Sequence, residues 1–369
     1  MKKKWIYFWV WTTAEYIKMM PIMVKLQERE WSYKIISTGQ NDIDNSEIAE
    51  FLNVRSDFVF HKGIIKQNIL WVFFWFVKSF FKGIFKMLFS KENFKWSYLF
   101  IHGDTLSTML GGIIWKMFRM KILHVEAWLR SFNWLRPFPE EIDRHVAGMF
   151  VNIHYCPNFW ASNNLIKYRG EKIDTKMNTI VDAMKIALAQ NVKSEEIKKI
   201  LSKKYFFFTV HRQENIYNES LIKYCVKTVL KLADNMCCVF VLHAPTKEVL
   251  LKLNLLDEIR QHPNIIIMPR VWYFDFTHVL ANAEFLITDG GSNQEEGFYL
   301  GKPTLVLRHE TERIEWIWRN VVISKCSPEI IDYFVKNYKN YEISAPLDAK
   351  GNSPSEIILN HLKTLIDAF

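Results

Sequence analysis

Residues 285–307 read FLITDGGSNQEEGFYLGKPTLVL. Two short apolar runs, 285–288 and 304–307, flank a polar turn and one helical stretch. Continuous apolar runs of this length suit parallel strands buried on both faces, and a helix between two of them makes a βαβ unit. The turn Asp289-Gly290-Gly291-Ser292 stands at the end of the first strand, where open α/β sheets bind ligands. A Gly-Gly turn ahead of a helix also exposes backbone N–H groups to an anion. Glu296, one turn on, is placed to accept from ribose hydroxyls, and the combination suggests a nucleotide. The plainer alternative is a tight turn with Ser292 as N-cap.

The same alternation extends outward in both directions. Upstream, strand candidates fall at 5–11, 34–38, 98–102 and 122–125, and then at 206–210, 237–242 and 265–268. Helical patterns separate them, and a polar, partly helical stretch at 158–204 divides the two sets. The expectation is an α/β protein of two Rossmann-like domains facing across a cleft, with no solenoid repeat. The first domain is expected over 1–170 and the second over 171–369, the last helix being a candidate to pack back on the first.

Length agrees, since 369 residues suit two domains of average size. Five cysteines, with no CxxC pair, speak against a disulfide framework or a structural zinc site and fit a reducing cytoplasm. The start imitates a signal peptide, but its apolar run breaks at Thr12 with no cleavage site after it, so a first buried strand reads better. The net charge is +9. Seven lysines and one acid between 58 and 100 give +6 of it, so the rest of the chain is nearly neutral and a nucleic-acid partner is not expected.

That basic region contains ILWVFFWFVKSFFKGIFKMLF at 69–89. Three lysines in a membrane span would each cost about 2.5–3.5 kcal/mol at a helix centre. Lys78, Lys82 and Lys86 recur every four residues and so share one helix face. A basic amphipathic helix lying on an anionic membrane surface accounts for this; a core helix with a solvated lysine stripe is the alternative.

Four strand ends carry polar clusters: His102-Gly103-Asp104-Thr105, Glu126, His211-Arg212-Gln213-Glu214-Asn215 and Asp289-Gly290-Gly291-Ser292. One such end is often a helix cap. Four across two domains point to a ligand site.

These residues carry a resemblance. IHGDT (101–105), HVEAWLRSFNWLRPFPEEIDR (124–144), TVHRQENI (209–216), LITDGGSNQEEGFYLGKPTLVLRHETER (286–313) and a weaker EYIKMMP (15–21) resemble the UDP-N-acetylglucosamine 2-epimerase family in order and spacing through nearly the whole chain. The resemblance implies the two-Rossmann GT-B fold, a UDP-sugar as substrate, no cofactor and no metal. It implies elimination of UDP to a glycal and re-addition with inversion at C2. By motif, Asp104, Glu126 and Glu140 would be the catalytic carboxylates and His211 their second-domain partner near the diphosphate. Arg212, Glu214 and Asn215 would support that turn, Gly290, Gly291 and Ser292 hold the diphosphate, Glu296 the ribose, and Arg308 and Arg313 serve the anion. Phe276 stands where the family packs on the uracil; ordinary core is its other reading.

The chain departs from the pattern. Thr13 replaces the family's diphosphate arginine, Trp128 a glycine, and DSGG has become DGGS. The stretch at 39–43 does not keep the family's activator pattern. Two functions are compatible with these residues. One is a sugar-nucleotide 2-epimerase acting on UDP-N-acetylglucosamine or a close relative, in surface-polysaccharide precursor synthesis. The other is a membrane-associated GT-B-type glycosyltransferase with a lipid-linked acceptor, favoured by Thr13, Trp128 and the lysine-striped segment. Expected partners are the UDP-sugar, an anionic membrane surface through 69–89 and a second copy of the chain as a homodimer. The expected place is the cytoplasm, peripheral on the inner membrane face.

Overall fold

The computed structural model describes residues 5–39, 41–59, 78, 81–85, 88–89, 94–103, 106–127, 148–268, 271–311, 313, 317, 319–348, 351 and 353–367. The chain divides into two compact units. The first is Met1–Ala183 with Asn352–Phe369, and the second is Met184–Gly351.

In the first unit the strands are β1 (Ile6–Val10), β2 (Tyr33–Ser37), β3 (Phe58–Val59), β4 (Tyr98–His102), β5 (Lys121–Val125), β6 (Ile153–Cys156) and β7 (Glu171–Asp174). They form one parallel sheet in the order β3-β2-β1-β4-β5-β6-β7. The second unit contributes β8 (Tyr205–Thr209), β9 (Cys237–Val241), β10 (Ile265–Met268), β11 (Leu286–Thr288), β12 (Thr304–Val306) and β13 (Val321–Ile323). Their order, β10-β9-β8-β11-β12-β13, repeats the same winding. All pairings in this sheet are parallel too. In each sheet the order reverses beside the first strand, between β1 and β4 and between β8 and β11. Those reversals open the crevices in which doubly wound folds bind ligands.

Apolar content explains the sheets. Every residue of β1, β4 and β8 is buried, as a central strand covered on both faces requires. Tyr7, Trp9, Leu99 and Trp115 build one core, while Phe206, Phe208, Phe240 and Phe285 build the other with Leu221, Cys225 and Val229 of the helix Glu219–Ala233. Each such side chain contributes about 1.5–3 kcal/mol on burial.

The first sheet runs further than the apolar pattern suggested. β7 reads EKID and has no fully buried residue, because it is an edge strand paired only to β6. It lies past residue 170, so the first unit continues to Ala183. The helix Pro354–Asp367 also belongs to the first unit, where Arg29 meets Glu356, the Tyr98 hydroxyl donates to the Leu365 carbonyl at 2.9 Å, and Tyr155 Oη lies 3.0 Å from His361 Nδ1.

Of the segment 69–89, most lies outside the described residues. Residues 81–85 are helical, Lys78 and Lys82 are exposed, and Phe81, Phe85, Leu88 and Phe89 are each exposed by 65% or more, which a core helix would not show. Among the described residues no helix is long and apolar enough to cross a membrane.

Candidate functional site

At the reversal point of the second sheet, β8 runs out into His211 and Arg212 and β11 into Asp289 and Gly290. Asp289 is fully buried and gathers donors. The His211 backbone N–H reaches its two oxygens at 3.1 and 3.0 Å, the Arg212 N–H reaches Oδ2 at 2.8 Å, and Asn215 Nδ2 reaches Oδ2 at 3.1 Å. Burial by itself would raise this carboxyl. The His211 imidazole and the converging N–H groups outweigh it and hold the group below the usual carboxylate range. The His211 ring places Nδ1 3.0 Å from Asp289 Oδ1, with the ring N–H off the ideal hydrogen-bonding line. The imidazole is partly exposed and lies beside the His243 ring, at 4.7 Å between centroids. Gly290 leaves room for it: a Cβ there would stand 3.3 Å from His211 Cε1 and 2.7 Å from Asn293 Oδ1.

The helix Gly291–Tyr299 starts at this point. Its N-cap is Gly290, which offers no side chain, so the first-turn amides keep their affinity for an anion. Ser292 is therefore not the cap; it is the helix's second residue, and exposed. Glu296 is buried and accepts from Asn293 Nδ2 at 2.9 Å. Arg212 Nε donates to the Asp289 carbonyl at 3.1 Å, and Glu214 beside it is mostly exposed. Arg308 is buried. Arg313 is engaged inside the fold, its Nε 3.3 Å from the buried Glu295 and its carbonyl accepting from Gln294 Nε2 at 2.9 Å. Phe276 is half-buried, edge-on to Phe207 at 5.7 Å. Both readings of it thus keep support, since one side packs on the core strand and the other is accessible.

In the first unit, β4 ends in His102 and β5 runs into Glu126. The Glu126 backbone has φ +58°, a left-handed conformation that costs energy in a non-glycine residue and that clusters at functional sites. Its carboxylate is nearly buried and meets the Lys18 ammonium at Oε2; His102 Nε2 stands 3.0 Å from the same oxygen. Lys18 and His102 are equally buried. Behind them, His124 Nε2 donates to the Gly103 carbonyl at 2.6 Å, and His154 Nε2 donates to the Arg169 carbonyl at 3.1 Å. Burial pushes the His124 imidazole down to about 3, with the neighbouring His154 adding to the effect, and pushes His154 down to about 4. Both rings are neutral supports rather than cations. Thr13, the first residue of the helix Thr13–Glu28, accepts from Asn41 Nδ2 at 3.2 Å.

The structure thus brings His211, Arg212 and Gly290 together and sets Glu126 in a charged cluster of its own unit. Asp104, Glu140, Trp128 and Lys86 lie outside the described residues. Lys18 was not singled out in the sequence, and His102 and Asp289 stood there only as members of strand-end clusters, without the contacts that the fold gives them. Lys18 had a signal, a lone charge inside the apolar run IKMM on a helix that must cover a sheet. Asp289 had a weaker one, since an acid at a strand end also reads as turn chemistry. Among the described residues no group of three or more His, Cys, Asp or Glu side chains could hold a metal ion.

Comparison with known proteins agrees with this geometry. A family model described as UDP-N-acetylglucosamine 2-epimerase matches residues 25–346. The chain is 28% identical to the UDP-N-acetylglucosamine 2-epimerase of Campylobacter jejuni, over 87% of this chain and 86% of that one. It is 31% identical to the enzyme of the same name from Methanocaldococcus jannaschii, over 83% and 84%. A crystal structure of the M. jannaschii UDP-GlcNAc 2-epimerase in complex with UDP-GlcNAc and UDP superposes with a TM-score of 0.78 at 26% identity, covering 98% of this chain and 99% of that one. The α/β class and the two parallel sheets expected of a GT-B-type chain are borne out. The comparisons favour the epimerase over the glycosyltransferase.

Proposed function

Because the chain belongs to the UDP-N-acetylglucosamine 2-epimerase family, we propose that it epimerises UDP-N-acetylglucosamine or a close relative at C2. The observation that carries this reading is Glu126. A carboxylate held by Lys18 and His102 at a strand end, on a strained backbone, is an expensive arrangement that a protein merely holding a nucleotide has no need of. In the proposed reaction a carboxylate from the set Asp104, Glu126 and Glu140 takes the C2 proton. The C–H electrons form the C1=C2 bond, the C1–O bond breaks, and UDP leaves with that electron pair. Re-addition of UDP at C1, with a proton delivered to the opposite face of C2, gives the epimer.

The second unit is read as the nucleotide's seat. The open first turn at Gly290, Gly291 and Ser292 and the His211 ring would take the diphosphate, with Arg212, Arg308 and Arg313 supplying positive charge around it. Glu296 would take the ribose and Phe276 the uracil. Substrate, acid, base and anion donors are all accounted for by side chains and backbone, so no cofactor enters the scheme. The test is incubation of the full chain with UDP-N-acetylglucosamine in deuterium oxide. Deuterium at C2 is expected; no exchange and no UDP release would overturn the reading.

The same reading places the chain in the cytoplasm, serving surface-polysaccharide precursor synthesis, with 69–89 resting on the inner leaflet. Exposed Lys78 and Lys82 among exposed Phe81, Phe85, Leu88 and Phe89 support it, a combination suited to anionic headgroups above an apolar interior. Each lysine near such a surface contributes about 1 kcal/mol, so changing Lys78, Lys82 and Lys86 to Gln should weaken binding to phosphatidylserine-containing liposomes by roughly 3 kcal/mol. A wild-type chain that stays in the supernatant at low salt would remove the membrane from the account.

A further inference from the structure

Asp289 makes no contact that requires a substrate, yet the His211 turn is organised around it. Four N–H groups converge on its carboxylate from three residues, counting the His211 ring. Asn215 in turn is locked, because Nδ2 also donates to the Leu307 carbonyl at 2.7 Å. A fully buried carboxylate surrounded by donors acts as an acceptor only. The neighbouring imidazole nitrogen therefore has to carry a proton to be compatible with it.

We infer that Asp289 is a positioning residue that fixes His211 in the Nδ1–H tautomer and so reserves Nε2 for the leaving diphosphate. This deepens the epimerase reading and rests on it for the identity of the diphosphate. Nδ1 faces Asp289 Oδ1 at 3.0 Å, so the ring's second nitrogen is the one left to meet a ligand. The ring is partly exposed and adjoins Gly290, whose lack of a Cβ lets imidazole and helix N-terminus approach each other. Neutral His211 would then accept at Nε2. As the imidazolium it would donate there to a phosphate oxygen that gains charge when C1–O breaks, and Asp289 would balance the ring's charge from behind. Asn215 holds the carboxylate from the far side, so the order runs from Asn215 to Asp289 to His211.

Other groups could set the ring by other means. His243 packs against it at 4.7 Å, and Arg212 shares its turn. Neither supplies an acceptor-only partner to Nδ1. Asp289→Asn keeps the shape of the side chain but offers Nδ1 an amide N–H, which stabilises the opposite tautomer.

The test is long-range ¹H–¹⁵N spectroscopy of the full chain labelled at histidine nitrogen, with the His211 signal identified by its loss in His211→Gln. The wild type with its ring neutral is expected to show Nδ1 protonated and Nε2 bare, and Asp289→Asn to shift the ring toward Nε2–H. Turnover in Asp289→Asn should fall at least 100-fold, with a smaller change in UDP affinity. A wild-type His211 found as Nε2–H overturns the proposal without any variant. So does Asp289→Asn with an unchanged tautomer and unchanged turnover. If Asp289→Asn does not fold, Asn215→Ala, which removes one donor to the carboxylate, should move the tautomer ratio in the same direction; no movement overturns the proposal. The tautomer reading needs no substrate. Failure of C2 exchange with the tautomer intact would therefore count against the epimerase reading alone.

Discussion

Glu126→Gln is expected to slow turnover by about 10²- to 10⁴-fold, the range that a general acid–base group typically supplies, while UDP affinity stays near its wild-type value. The amide preserves volume and hydrogen-bonding reach but cannot take a proton from carbon. It also takes one carboxylate away from the buried Lys18 ammonium, and breaking one side of a buried ion pair costs about 3–5 kcal/mol. Stability and chemistry are separable. Changing Glu126 to Gln and Lys18 to Met together removes both members of this pair and should recover part of the lost stability, with no recovery of rate. Steady-state kinetics and denaturant melts on the two variants check this. Wild-type turnover in Glu126→Gln would take this carboxylate out of the mechanism.

The second large effect concerns pH. His124 and His154 are fully buried, and their folded values of about 3 and 4 lie below the ordinary value of 6.5. Unfolded, both rings bind protons at a pH where the folded unit cannot. The stability they support is therefore complete above pH 6.5 and is lost as pH falls toward 4 and then 3. Each contributes up to about 1.4 kcal/mol per pH unit inside that window. Between pH 6.5 and 5 the pair should cost the first unit on the order of 3–4 kcal/mol. His124→Gln, whose amide can still donate to the Gly103 carbonyl, should remove about half of that slope. Chemical denaturation followed at several pH values would show it. A first-unit midpoint that does not move between pH 7 and pH 5 would mean that the rings are solvated or charged in the folded protein.

Much of the site was visible as sequence because strand ends print their chemistry next to an apolar run. His211 after FFFTV, Glu126 after ILHV and the Asp-Gly-Gly turn after LIT are all found by locating where the hydrophobic residues stop. What stayed hidden were the partners that come from elsewhere in the chain. Lys18 lies 108 residues from Glu126, and Asp289 lies 78 from His211. No local pattern links such positions, because the contact is made by parallel strands and their crossover helices. Arg313 is a further case. Its motif suggests an anion ligand, and the fold adds the buried Glu295 as a neighbour, which the motif does not announce.

From the sequence alone came the α/β class, the number of parallel sheets and the family. Runs such as IYFWV and YFFFT can be buried on both faces only in such sheets. The sequence did not mark the edge strand β7, whose polar residues EKID need no second cover, nor the extension of the first unit past residue 170 that follows from its pairing with β6. Only the tertiary structure decided which of two strand-end carboxylic acids is held by an ammonium and which by N–H groups. Glu126 received Lys18 from the helix after β1, and Asp289 received the amides of the turn after β8. Charge state and reactivity depend on the distance to the nearest donors and on the water removed between them, and both are set when distant segments pack together.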